Sequence, residues 1–302
     1  MPFLHSLSAR RRRNLTYSLF LLLPVVLFVA SYIYPTIYTL NLSLHDWDGL
    51  SPRQRFVGLD NYATLLAQTR FHNAVLNNIA WLAFYLIVPS LLGLGLALLV
   101  DGKLRGESLF KLAFFIPYIF TPVAVAAIWR WLYLPDGGLF NAVIAGLGFP
   151  DQIQNWLGDP AIVNLSVMLA ALWSGTGFAF IVFLAGLRNI PYEYLEAARV
   201  DGASHWGIFW HIIVPQLWPS TILVVGIFGI DAMRLFDIIW SVTGGGPARA
   251  SEVLATQLYD VAFGQFKMGM ASAIGVCQLL LAALLILPYI IYITRRVEDL
   301  SE

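Results

Sequence analysis

Asp231, Arg234 and Asp237 stand at intervals of three inside one of the most apolar stretches of this 302-residue chain. A charge in a bilayer interior costs at least ~2.5–3.5 kcal/mol on insertion scales, so these groups must face each other, a partner helix or a watery cavity. On a continuous helix that spacing puts neighbouring members on adjacent faces. Two readings are open. In one, Asp231 pairs with Arg234, or Arg234 with Asp237, as a structural device that neutralises itself. In the other they form a polar wall: a carboxylate offers two acceptors and a guanidinium paired donors, and either can hold vicinal hydroxyls. A second break in an apolar run is Trp173-Ser174-Gly175-Thr176-Gly177-Phe178. The Trp173 and Phe178 faces could stack on a hydroxylated ring, while the glycines could equally serve only close helix packing. Trp173, Gly175, Phe178, Asp231, Arg234 and Asp237 are therefore the candidates for contact with a solute.

The other informative segment is the charged loop from Arg188 to Pro219. A helix is predicted to begin near Pro191, whose missing N–H is harmless in a first turn, with Glu193 and Glu196 at the positive end of the helix dipole. Ala197 and Ala198 keep one face low enough for another backbone to approach. Gly202 permits the positive φ that ends a helix, and Ser204 can cap a second one. That second helix carries Trp206, Phe209, Trp210, Ile212 and Ile213 and is expected to stop near Pro215, which disfavours helix at Val214. Such an element could lie on lipid, but lipid-surface helices carry Lys and Arg. Here Glu193, Glu196 and Asp201 face Arg199 alone, which points to a protein partner.

The elements that hold these residues are membrane spans. Hydrophobic residues make up 59% of the chain and charged ones 12%, and the mean hydropathy is +0.72; a soluble domain is usually about 25% charged. The formal net charge is zero, with no basic stripe, so nucleic acid is excluded as a partner and membrane lipid is the expected surroundings. The lone Cys277 allows no internal disulfide and reads as a packing residue. With about 20 apolar residues needed to cross the hydrocarbon core, six spans emerge: Tyr17 to Leu40, Ile79 to Val100, Leu109 to Tyr133, Ile162 to Leu187, Thr221 to Trp240, and Ala271 to Thr294. The first is an uncleaved span, because no small-residue cleavage site follows Arg10 to Arg13. Alternating the loops puts 11 Lys and Arg on one side, with Arg10 to Arg13, Lys103, Arg105, Lys111, Arg188, Arg199, Arg295 and Arg296, against 5 on the other. The positive-inside rule then makes both termini and the 188–219 loop cytoplasmic. The chain divides into a tail at 1–16, a membrane domain at 17–294 and a tail at 295–302.

The spacing of Glu196, Ala197, Ala198, Asp201, Gly202, Ile212 and Pro215 resembles the EAA motif of binding-protein-dependent ABC importer permeases. Val214 stands where that family more often has leucine. The wider chain resembles the sugar branch, the maltose-type and glycerol-3-phosphate-type permeases, through Phe56, Gly58, Leu59, Asn61 and Tyr62, and through Thr243-Gly244-Gly245-Gly246-Pro247 followed by Tyr259, Ala262, Phe263, Gly269, Ser272 and Ala273. The resemblance implies an all-α membrane protein of the type I ABC importer permease fold, with six transmembrane helices and a cytoplasmic coupling-helix loop between spans four and five. It implies that the loop couples to an ATPase and that spans four and five line the translocation path. It also implies the partners: a second homologous permease, two copies of an ATP-binding subunit and an extracytoplasmic solute-binding protein, at a bacterial inner membrane. The solute would be a sugar, a polyol or a sugar derivative.

No catalytic or metal-ligating set is expected in this chain. The histidines, His5, His45, His72, His205 and His211, fall outside the predicted spans, and neither H-E-x-x-H nor a P-loop occurs, so ATP and Mg belong to a partner ATPase. An ion-coupled secondary transporter working through Asp231 and Asp237 is the competing reading. It leaves the docking loop without a purpose.

Overall fold

The computed structural model describes residues 9–102 and 106–299. Lys103 and Arg105, counted above toward orientation, lie outside the described residues, as do His5, the tail segments 1–8 and 300–302, and the side chains of Arg10 to Arg13, Arg295 and Arg296.

The described residues are mostly helical. Helix α1 (Ala9–Phe28) passes through one π turn, Val29–Ile33, into α2 (Tyr34–Leu42). The wider turn lets the Tyr34 N–H reach the Val29 carbonyl just ahead of Pro35, which has no N–H to give. A two-residue antiparallel ladder follows, His45 opposite Phe56 and Asp46 opposite Arg55, then α3 (Asp60–Leu66) and the 33-residue α4 (Thr69–Asp101). Next come α5 (Glu107–Ile119), α6 (Pro122–Leu132), α7 (Leu139–Gly146) and α8 (Val163–Arg188). The 188–219 loop holds α9 (Tyr192–Val200), α10 (His205–Ile208), a π turn Phe209–Ile213 and α11 (Val214–Gln216). Then α12 (Trp218–Met233), α13 (Asp237–Val242), α14 (Leu254–Tyr259) and α15 (Met268–Asp299) complete the described chain.

Four helical stretches are long and apolar enough to cross a membrane: Phe20–Leu42, Thr69–Asp101, Val163–Arg188 and Met268–Thr294. Two bent pairs raise the number to as many as six. The expected third span, Leu109 to Tyr133, is one of these pairs: α5 and α6 meet at 102°. Pro122 starts α6 there, and the Thr121 hydroxyl caps it by accepting from the Ala124 N–H. The expected fifth span, Thr221 to Trp240, is also not continuous. Its helix starts earlier, bends by 62° from the preceding segment, and stops at Met233 before resuming as α13. His72 falls inside α4, whose helix starts ten residues before the expected span.

Helix α8 is the centre of the bundle, with α4 and α5 packed along it. Small residues set the approach. A Cβ on Gly93 of α4 would come within 2.7 Å of the Phe180 backbone N, and one on Gly177 of α8 within 2.5 Å of the Phe114 carbonyl in α5. In lipid, where tails are as apolar as leucine, such close packing supplies much of the attraction between helices. By contrast α1 and most of α15 present exposed Leu, Ile, Phe and Val side chains, the face expected toward acyl chains.

Candidate functional site

The break between α12 and α13 shapes the site. A helix ending inside a bundle leaves carbonyls without partners, and here side chains from other helices take them: Asn78 Nδ2 of α4 donates to the Ala232 carbonyl at 3.3 Å and Gln278 Nε2 of α15 to that of Met233 at 2.7 Å. The Arg234 N–H still bonds Ile230 at 3.0 Å, and Phe236 leaves helical geometry at φ −141°, ψ −59° before Asp237 opens α13. Leu235, Ile238 and Ile239 turn into the core. Asp231, Arg234 and Asp237 are thereby left on the other side, exposed within this chain.

All three line one cavity of about 510 Å³, together with Ser174 and Gly175 from α8, Tyr85 from α4 and Tyr118 from α5. The prediction that the charges share one continuous helix is corrected by the break, which puts Asp237 on a second, short helix. The structural-pair reading is not met either. Among the described residues the ion pairs lie elsewhere, at Arg55, Arg70, Lys111, Arg188 and Arg249, and none joins Asp231, Arg234 or Asp237.

The glycines of the second break divide between the two readings. Gly177 faces α5 and permits packing, whereas a Cβ on Gly175 would meet only ordinary contacts, Tyr85 Cε1 at 3.6 Å and Pro89 Cβ at 3.8 Å, and Gly175 lines the cavity. Trp173 and Phe178 are not cavity-lining residues, but each backs one that is. Trp173 stacks on Phe120 with ring centroids 6.1 Å apart, and Phe178 lies 5.4 Å from Tyr118 and 5.7 Å from Phe228. Sequence reasoning missed Tyr85, Tyr118, Phe120, Phe228 and Phe236, all on the cavity wall. Aromatic residues in spans pack against lipid and protein alike, so nothing local marks these.

Half-buried amides brace the wall. Trp81 Nε1 donates to Asn164 Oδ1 at 2.9 Å, Asn164 to Asn77 Oδ1 at 3.2 Å, and Asn77 to the carbonyls of Ala250 and Glu252 at 2.9 and 2.8 Å. Arg70 grips Glu252 through two bonds of 2.7 and 2.6 Å and Asp260 through one of 2.6 Å. The segment that follows the Thr243–Pro247 loop, Ala250 to Asp260, is thus tied to the start of α4. Asn61, named above for its resemblance, donates to the Ser43 and His45 carbonyls and fastens the first loop.

In the 188–219 loop, Pro191 takes the N-cap position and α9 runs to Val200. Gly202 has φ +81°, its N–H reaches the Arg199 carbonyl, and the Ala203 N–H reaches that of Ala198 at 2.9 Å; this pair of bonds is the Schellman closure that a left-handed glycine allows. The Ser204 hydroxyl accepts from the Gly207 N–H and caps α10, as expected. The helix ends at Gln216, one residue past the expected stop near Pro215, but the expected loss of helix at Val214 is corrected. Val214 stays helical at φ −59°, ψ −46°, because the π turn carries its N–H to Phe209 and the chain runs on helically to Gln216. Ala197, Ala198, Asp201, Ile212 and Pro215 line a shallow cleft of about 400 Å³ between the two helices, with Tyr194 and His211. Glu196 and Gly202 are exposed beside it, and α9 buries none of its residues.

A bundle of long apolar helices, with a charged cavity at a broken helix and an exposed helix-turn-helix loop, is the membrane domain of a transporter. The family model described as the binding-protein-dependent transport system inner membrane component matches residues 63–297, and the chain belongs to this family. It is 33% identical over 282 residues to a probable ABC transporter permease protein of Pyrococcus horikoshii, covering 93% of this chain and 97% of that one. With the diacetylchitobiose uptake system permease protein NgcF of Streptomyces coelicolor it shares 31% over 311 residues, 97% of this chain and 87% of the relative. The fold matches a chain of a bacterial alginate ABC transporter crystallised with a periplasmic protein holding an alginate pentasaccharide: TM-score 0.80, 21% identity, 95% and 96% coverage. The chain is therefore a multi-pass membrane permease subunit.

Proposed function

We propose that this permease forms half of the path by which an ATP-driven importer takes up a carbohydrate or carbohydrate-like solute. The observation that carries the reading is the cavity at the α12 break, where Asp231, Arg234 and Asp237 stand without ion-pair partners among aromatic rings. Carboxylate and guanidinium groups that form no ion pair with each other remain available to hydroxyls, and flanking rings suit the apolar face of a sugar. The diacetylchitobiose and alginate systems named above support that solute class.

A second homologous permease would close the open side of the cavity, an extracytoplasmic solute-binding protein would deliver the solute, and two ATP-binding subunits would supply the energy. Both termini and the 188–219 loop are then cytoplasmic. The cleft holding Ala197, Ala198, Asp201, Ile212 and Pro215, flanked by Glu196 and Gly202, is the docking face for the ATPase. This chain needs no cofactor of its own, since ATP and Mg sit on that partner. Closure of the ATP-binding subunits would move α9 as a lever and turn the cavity outward, and hydrolysis would return it inward.

The test is a mild-detergent pull-down of the tagged chain from its native host, with mass spectrometry and ATPase assay of the recovered material. Recovery of a second permease, an ATPase and a solute-binding protein is expected, and that binding protein identifies the solute. Recovery of this chain alone, in a preparation that still carries solute flux, overturns the importer reading in favour of an ion-coupled carrier.

A further inference from the structure

Three helix ends meet beside α9. Arg188 is the last residue of α8, Glu107 the first of α5 and Asp101 the last of α4. The Arg188 guanidinium donates to the Glu107 carboxylate, its Nε lies 3.7 Å from Asp101 Oδ1, and Lys111 closes on the same Glu107 carboxylate from the next turn of α5. The acidic residue at the start of α5 and the basic one at the end of α8 also suit the two helix dipoles. Side chains this open to solvent add little to stability as an ion pair. What the cluster does is add a polar tie to ends whose apolar faces, Val100 of α4 and Leu187 of α8 among them, already share one core.

Apolar packing continues the connection into the loop. Leu187 and Ile190 are buried on either side of Arg188, and Leu195 of α9 packs against the same cluster with Ile213. Farther along, the three joined helices present Tyr85 (middle of α4), Tyr118 (end of α5), and Ser174 and Gly175 (middle of α8) to the cavity. A displacement of α9 therefore acts on the end of α8, and through Arg188 on the ends of α4 and α5, which carry three of the cavity walls.

We infer that Arg188, Glu107 and Asp101 form a strut that makes these three walls follow α9 as one body, with Arg188 and Glu107 as positioning residues for energy coupling. The inference rests on the reading of α9 as the ATPase-docking helix. Without the strut, the ends of α4 and α5 follow α8 less closely despite their shared core, so nucleotide closure opens the cavity incompletely while the ATPase stays bound.

The experiment uses the whole complex recovered with the tagged chain, in a Cys277→Ala background with Ser174→Cys as reporter. Its labelling by a charged, membrane-impermeant thiol reagent is timed with and without MgATP plus vanadate. In the parent, nucleotide trapping changes the labelling rate by about fivefold or more, the lower end of ordinary allosteric coupling. Arg188→Gln and Glu107→Gln each reduce that response to under about twofold, the double variant loses no more than either single one, and Arg188→Lys keeps most of it. Co-recovery of the ATPase stays at the parental level throughout. A parental response in both single variants, or losses that add in the double variant, overturns the strut. Glu196→Lys separates the two claims: its failure to abolish the response removes the docking reading itself, as does a parent complex that shows no response.

Discussion

Gln278 on α15 donates its side-chain amide to the Met233 carbonyl at 2.7 Å, and so completes the C-terminus of a helix that stops inside the bundle. With no water in hydrocarbon to take that carbonyl, the break persists only because another helix supplies the donor. Gln278→Leu keeps the volume and removes the donor. It should destabilise the protein by about 1–3 kcal/mol, the range for a buried group left unpaired. A fall in the thermal unfolding midpoint in detergent is the check, and an unchanged midpoint would show that the carbonyl finds another partner.

Gly177 and Gly175 sit two residues apart on α8 and should respond oppositely to an added side chain. Gly177→Leu forces α5 away from α8, because even a Cβ there meets the Phe114 carbonyl at 2.5 Å and Tyr118 Cβ at 3.2 Å; overpacking of this kind typically costs about 1–3 kcal/mol or more. Gly175→Ala meets nothing closer than 3.6 Å. Size-exclusion profiles of the two variants should show loss of monodisperse protein for the first and a parental peak for the second.

On α9, Glu196 is exposed and Gly202 holds φ +81° with open space around it. Glu196→Lys reverses charge on the docking face, and Gly202→Asp strains the left-handed turn. Both should leave membrane insertion intact and lower the co-purified ATPase at least about tenfold, a change equivalent to 1.4 kcal/mol. Normal co-purification together with normal uptake would remove this face from the coupling machinery.

Arg234 ends α12 within the cavity and has no ion-pair partner there. Arg234→Ala should therefore cut uptake of the solute identified from the binding protein by about tenfold or more, since a hydrogen bond from a charged group contributes roughly 1.5–3 kcal/mol. Complex yield should hold. Unchanged uptake per complex takes Arg234 off the path.

In the loop between α2 and α3, Asp48 Oδ1 accepts from the Ser51 N–H at 2.8 Å, the Leu50 N–H at 2.9 Å and the Ser51 hydroxyl at 2.8 Å. The Ser51 amide first, then that of Leu50, holds the Asp48 carboxyl below the ordinary aspartate range. A folded-state pKa that is depressed supports the turn fully above the unfolded value, near 3.9, and the support is lost as pH falls through the lower folded value. Hydrogen exchange of the Leu50 and Ser51 amides should show protection that is flat above about pH 5 and declines below about pH 4. In Asp48→Asn that dependence should vanish.

Much of this is legible in the sequence alone. The 188–219 loop was readable because its signals are local: Gly202 and Ser204 act on backbone groups within five residues, so the α9 end and the α10 cap followed from residue type. The helix does end one residue after Pro215, but the loss of helix expected at Val214 failed for a reason of the same scale, a π turn that shifts the hydrogen-bonding register by one residue and accommodates the proline. At the cavity, Asp231, Arg234, Asp237 and Gly175 were found because charges and a small-residue break are conspicuous in an apolar run. Tyr85, Tyr118 and Phe228 were not, because an aromatic residue in a span looks the same whether it faces lipid, a helix or a solute.

By itself the sequence determined the membrane domain, the approximate positions of its spans and the helix-turn-helix character of the loop, since these depend on apolar length and short-range backbone chemistry. Only the tertiary structure decided that the helix breaks after Met233 and that its three charges face one cavity unpaired. The donors that make the break tolerable, Asn78 and Gln278, come from α4 and α15, distant in sequence and brought to those carbonyls by packing alone.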